Sequence, residues 1–368
     1  MHSEQSNSSG SNSSGSKSSR GIQFLVGAAA LVIIIAGINL AQSVVVLIIV
    51  SVFFALLGIP PVLWLKEKRV PSGLAVFIVM SFLVTILILI GVQIGTSLNS
   101  FSNELPFMQS RIQDQVSGLS EFLTSKGIVV PDKFFIDYIN PEAIMKFTAG
   151  LLSGLSSALS NLLLILLTVT FILLEVSSFP IKLRAILGDP KQAFPQFTKF
   201  IVDMKRYMVI KTLINLVAGV LITIWMYILG VQFPVLWGFL AFLLHYIPNI
   251  GSVIAAIPAA ILALVQFGIG SALLVAAGNL LVGFIIGNVI EPRVMSRNLG
   301  LSTLVVFLSL IFWGSLLGII GAILCIPLTM TLKFAFESSE STSWISVLLG
   351  SEQSNEISIS KSKRKKEQ

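Results

Sequence analysis

The chain has 368 residues, of which 55% are hydrophobic and only 11% charged, with a formal net charge of +7. Soluble domains carry roughly 25% charged residues, so this composition excludes an ordinary water-soluble fold and predicts an all-α integral membrane protein. The mean hydropathy of +0.93 points the same way.

Residues 1–21, opening MHSEQSNSSGSNSSGSKSSR, are too polar to bury a core and are expected to form a disordered Ser-rich tail. Taking roughly 20 apolar residues per crossing, eight spans are expected, at 22–40, 43–64, 71–97, 148–176, 207–230, 235–266, 270–290 and 302–334. The chain then divides into transmembrane helices 1–3 (22–98), an extramembrane helical arm (99–147), helix 4 (148–180), an interfacial linker (181–206), helices 5–8 (207–334) and a basic tail (335–368).

Charge orients these segments. KEKR at 66–69, the run Lys182, Arg184, Lys191, Lys199, Lys205 and Arg206, and the terminal KSKRKK are basic, whereas 99–147 holds four basic and six acidic residues. Basic segments stay on the cytoplasmic side, which puts both termini inside, as an even number of crossings requires. The basic tail is read as topology and lipid contact, with no nucleic-acid partner. In the arm, Met108, Ile112, Leu119, Phe122 and Leu123 fall near helical spacing, and Asn140-Pro141 offers a cap for the fourth span. On the other side, Asp189-Pro190 is expected to start an interfacial helix with Phe194, Phe197, Ile201 and Met208 on one face.

Catalytic chemistry is poorly supplied. All five aspartates (114, 132, 137, 189 and 203) lie outside the spans, and the two histidines, His2 and His245, are too few to ligate zinc. No nucleophile elbow accompanies His245. Cys325 is the single cysteine, so no internal disulfide can form. The chain is therefore expected to be no enzyme and to hold no metal or cofactor.

Isolated polar residues in apolar helices remain, each expensive unless partnered or lining water. Lys211 and Asn215 lie four apart on one face of the fifth span. In HYIPNIGSV (245–253), Pro248 removes a backbone donor and Gly251 permits unusual backbone angles, so the sixth span is expected to unwind between about 246 and 252. A simple proline kink is the other reading. Unwound backbone is tolerated at depth only when buried in protein or lining a cavity, so Pro248, Asn249 and Gly251 are candidate solute contacts. In GNVIEPRVMSRNLGLS (287–302), Asn288 and Glu291 lie three apart on one expected helix face, and Pro292 is expected to end or kink that helix. Asn288 joins the candidate contacts. Glu291 could pair with Arg293 or reach Lys211; these three and Asn215 are candidates for gating or ion coupling.

LWGFLAFLLHYIPNIGSVIAAIPA (236–259) and GNVIEPRVMSRNLGLSTLVVFLSLIFWGSLLGIIGAILCIPLTM (287–330), with KEKRVPSGLAVFIV and LLTVTFILLEV, closely resemble the autoinducer-2 exporter family of bacterial membrane permeases. The resemblance covers most of the chain except its Ser-rich head and basic tail. It implies an eight-helix permease with broken segments, in a homo-oligomeric, pentameric assembly in the bacterial inner membrane. It further implies export of the small polar signal autoinducer-2 by an elevator-like alternating-access motion. Sodium/proton antiport is the alternative within the same family, and it would need a titrating carboxylate such as Glu175 or Glu291.

Overall fold

The computed structural model describes residues 15–93, 95–97, 125, 150, 153–154, 161–187, 195–294, 301–337 and 342–350. Every element among them is a helix. Helix α1 (Gly15–Leu40) and the turn after it belong to one unit, residues 1–45, and Val46 onward forms a second. The expected arm over 99–147 lies outside the described residues except at Ser125.

Three apolar helices share a core in the second unit: α2 (Gln42–Glu67), from Val46 onward, α3 (Ser72–Ser97) and α4 (Leu162–Leu187). Their shared core is wholly aliphatic apart from Met80, and joins Ala55, Ile59 and Val62 to Val76, Val79, Ile165, Val169 and Leu173. Pro60 and Pro61 lie inside α2 without interrupting it. The turn into α3 has Arg69 in the left-handed region at φ 68, with Val70 N donating to Leu65 O at 3.2 Å. The Lys68 ammonium sits 3.9 Å over the Trp64 ring, an amphipathic pairing suited to a membrane surface.

The larger part begins with α5 (Pro195–Ile228), a single helix of 34 residues. At 1.5 Å per residue it is about 51 Å long, well beyond a hydrocarbon core of about 30 Å. The separate interfacial helix and fifth span expected here are thus one rod from Pro195 onward, because no proline follows Pro195 before the helix ends. The expected Asp189-Pro190 start lies outside the described residues. Near its start α5 packs on the helix that carries Phe334, where Phe200 stacks on the Phe334 ring with centroids 4.5 Å apart.

Helix α6 (Pro234–Leu244) has only 11 residues, and its opening proline follows Phe233 in the left-handed region. At about 16 Å it cannot cross a bilayer alone. Residues 245–250 separate it from α7 (Gly251–Phe267), and Gly268, at φ 86, separates α7 from α8 (Ile269–Ile285). The α7–α8 turn is tied to the α5–α6 turn by Gln232 N, which donates to Gln266 Oε1 at 3.2 Å. Helices α5 and α6 cross in close contact: a Cβ on Gly219 would lie 2.8 Å from Gly238 O.

Beyond α8, where Pro292 was expected to end or kink the helix, the helix does not end at the proline but changes its turn just before it. Residues 286–290 form a π-helical turn, with Glu291 N donating to Ile286 O, and the helix resumes as α9 (Glu291–Val294). A wider turn just before proline relieves the clash of its ring with the preceding turn. The span expected over 302–334 is likewise interrupted, first at Gly318, whose φ of 66 and ψ of −150 are non-helical and divide α10 (Thr303–Ile323), and again at Leu324, which parts α10 from α11 (Cys325–Glu337). A hydroxyl relay locks them together: Trp313 Nε1 donates to Thr329 Oγ1 (3.0 Å), which donates to Ser309 Oγ (2.8 Å), which donates to Val305 O (2.6 Å). Within the region expected to be tail, α12 (Ser343–Leu349) is helical, and Leu349 O accepts from Ser302 N at 3.2 Å.

Among the described residues five helices are long and apolar enough to cross a membrane, with shorter apolar helices beside them. Phe77, Phe82, Leu163, Phe171 and Phe284 are exposed on the protein surface, as contact with lipid tails requires.

Candidate functional site

One face of α5 carries Tyr207, Lys211, Asn215, Ala218 and Ile222, spaced three and four apart, and all five are buried. Placing a lysine and an asparagine in such a stripe demands partners. Lys211, only 3% exposed, has one: its ammonium meets both carboxylate oxygens of Glu291, at 2.7 and 2.8 Å. The π-turn and α9 carry Glu291 to this position. Of the alternatives open in the sequence, the pair with Lys211 is the one formed, and Arg293 is exposed.

The helix breaks gather around this pair. Tyr246, in the α6–α7 break, meets Thr212 with its hydroxyl 2.6 Å from Thr212 Oγ1. Thr212 donates its own proton to Met208 O at 2.7 Å, so Tyr246 is the donor. Phe53 of α2 and Phe242 of α6 both meet the Tyr246 ring edge to face. Tyr207 shares one buried core with Leu244, Ile247 and Cys325, and Cys325 opens α11 immediately after the break at Leu324. The α6–α7 break, the π-turn and the α10–α11 break therefore converge on a single charge pair.

The α6–α7 break is better satisfied than its sequence suggests. His245 N donates to Ala241 O, Tyr246 N to Leu243 O, Ile247 N to Leu244 O, Ile250 N to Pro248 O and Gly251 N to Ile247 O. Most of the expected free backbone donors are thus used within the turn. Asn249 sits at φ 62, a region asparagine tolerates better than most residues, and it is exposed. Gly251 is required by space, since a Cβ there would collide with Leu244 O. Pro248 is half-buried beside them.

Asn288 is not on the face of Glu291. The π-turn advances each residue by less than the α-helical angle, so residues three apart diverge. Asn288 is exposed, and its Nδ2 donates to Phe284 O at 3.2 Å. Asn215, by contrast, is fully buried at 0% exposure, and neither its Oδ1 nor its Nδ2 has a hydrogen-bond partner among the described residues.

His245 is the residue the sequence undervalues. It is 7% exposed, its Nδ1 lies 2.7 Å from Ala241 O, and its Nε2 is buried without a partner. A lone histidine in an apolar sequence gives no sign of this. The i, i+4, i+8 spacing of Tyr207, Lys211 and Asn215 is the signal that could have located the site.

Among the described residues no three of His, Cys, Asp and Glu gather. The chemistry on offer is hydrogen bonding and charge pairing, suited to moving a solute.

The comparisons agree. The model of the AI-2E family transporter matches residues 28–341. The AI-2 transport protein TqsA of Escherichia coli is 41% identical over 329 residues, covering 89% of this chain and 96% of that protein. YhhT of the same organism is 36% identical over 331 residues, covering 90% of this chain and 95% of its own length. A protein of Haemophilus influenzae is 35% identical over 332 residues, covering 89% and 95%.

Proposed function

The chain belongs to the AI-2E transporter family, and from that premise we propose that it exports autoinducer-2 across the bacterial inner membrane by alternating access. As a member of that family it is a membrane transporter and not an enzyme. Autoinducer-2 is a small, hydroxylated, largely neutral signal, so its carrier needs hydrogen-bonding groups with no net countercharge. The observation that carries the proposal is the pairing of buried Lys211 with half-buried Glu291, which leaves no net charge where the helix breaks lie. On this reading Asn249, Pro248, Gly251 and Asn288 line the route, and the Lys211–Glu291 pair, with Asn215 and Arg293 beside it, holds the gate. The assembly is a pentamer with both termini cytoplasmic.

A sodium/proton antiporter is less well supported. A sodium ion bound at Glu291 would have to displace an ammonium that already touches both carboxylate oxygens. Two measurements separate the readings. Cells expressing the protein should hold less internal autoinducer-2, and release more, than cells without it. Everted vesicles in which sodium drives a pH change, with no effect on the signal, would overturn the export reading.

A further inference from the structure

Two buried polar side chains near the charge pair have hydrogen-bonding capacity that no other described residue uses. Leaving a buried polar atom unpaired is costly, so native structures retain such atoms for a reason. Asn215 presents both a donor and an acceptor. His245 presents an acceptor: its Nδ1 faces Ala241 O, a carbonyl that can only accept, so the neutral ring carries its proton on Nδ1 and leaves Nε2 bare.

His245 faces α8 at Gly283, and Asn215 lies on the side of α5 that meets residues 282–291. His245 Nε2 is 3.8 Å from the point where a Cβ on Gly283 would sit, and the Ser252 hydroxyl crowds that same point. Asn215 lies on α5 between Lys211, which reaches Glu291, and Ala218, which packs with Ile286 and Val282. The face between them is thus turned to residues 282–291. Glycine at 283 is what lets α7 approach so closely.

We infer that Asn215 and His245 Nε2, with the Ser252 hydroxyl, form a neutral hydrogen-bonding site for a hydroxyl-bearing solute, held between α5, the α6–α7 break and α8. The solute donates a hydroxyl proton to His245 Nε2. It exchanges donor and acceptor bonds with the Asn215 amide. The Lys211–Glu291 pair beside it contributes field without net charge. The identity of the solute rests on the export reading; the existence of the site does not.

Because His2 and His245 are the only histidines, a His2→Ala variant of the full chain, labelled with 15N-histidine and held in nanodiscs, isolates the Nε2 signal of His245. Adding autoinducer-2, and separately ribitol, should move that signal upfield as Nε2 accepts a hydrogen bond. In export assays His245→Asn keeps the Nδ1-like bond to Ala241 but lacks Nε2. It should raise the half-saturating concentration roughly three- to tenfold, the loss of one hydrogen bond. His245→Gln, whose amide reaches the Nε2 position, should restore it, and Asn215→Leu should match His245→Asn. An Nε2 signal that neither solute moves overturns the site, as does wild-type saturation in His245→Asn. A signal that answers ribitol in a protein that exports no autoinducer-2 upholds the site and defeats the export reading.

Discussion

Two regions of the molecule put proline inside apolar helices, and they respond differently. In α2, Pro60 and Pro61 stand side by side and the helix runs on to Glu67 within an apolar core. In the α6–α7 segment a single Pro248 accompanies six residues of non-helical chain. Proline is therefore not sufficient to break a helix here, and Pro258 inside α7 repeats the point. What distinguishes the break is its company: Asn249 in the left-handed region and Gly251 packed against the Leu244 carbonyl. The broken region is also the one that buries charge.

The sharpest way to separate the two regions is to unbalance that charge. Removing one partner of a buried ion pair costs about 3–5 kcal/mol. The two removals should differ, because the Lys211 side chain is 4% exposed and that of Glu291 is 23%. Glu291→Leu strands the deeper charge and should lower the thermal unfolding midpoint of the purified protein more than Lys211→Met does. The double variant should recover much of the loss. Equal damage from both single variants, or none, would mean the pair is solvated and the region is not set apart.

Adding a methyl group where backbones touch comes next. Gly251→Ala puts a Cβ into Leu244 O, and Gly238→Ala puts one against Thr223 Oγ1 and, at 2.6 Å, Gly219 O. Overpacking of this kind costs about 1–3 kcal/mol. The loss should appear as lower unfolding midpoints and lower yields of folded protein. A smaller effect follows at Asn249, where an L-residue without a short polar side chain costs about 1–2 kcal/mol in the left-handed region. Asn249→Leu should therefore be destabilised and Asn249→Gly should not. If the amide meets the solute, export by the stable glycine variant should still fall.

Sequence patterns made the helices legible and the geometry of their breaks much less so. Unbroken apolar runs located α2, and Pro248 with Gly251 located the α6–α7 break, because apolar length and backbone stereochemistry are local properties. The fusion of residues 195–228 into one rod was not visible, since a polar first half looks like an interfacial helix whether or not it continues into the membrane. The division of 302–334 was hidden too: Gly318 and Leu324 carry no sign that distinguishes them from the chain's other glycines and leucines. Lys211 and Glu291 were each recognisable as needing partners, but the bond between them spans 80 residues of sequence. Asn288 was misplaced relative to Glu291 for a local reason, the π-turn, which arises from Pro292 downstream. His245 was discounted because the unpartnered state of Nε2 depends on what surrounds the ring, and that is a tertiary fact.

The smallest expected effect belongs to the unbroken region and tests the comparison from its quiet side. Gly58 of α2 faces Leu173 of α4, and a Cβ there would lie 3.1 and 3.3 Å from the Leu173 Cδ atoms. Those atoms end a flexible side chain, which can turn aside where the Leu244 carbonyl cannot. Gly58→Ala also gains helix propensity worth about 0.8–1.0 kcal/mol, which offsets much of the crowding. The variant should unfold within about 1 kcal/mol of wild type and transport its solute as wild type does. Damage on the scale of Gly251→Ala would place rigid packing in both regions, and the left-handed turn and backbone contact of the break would no longer explain why one proline-bearing helix parts and the other does not.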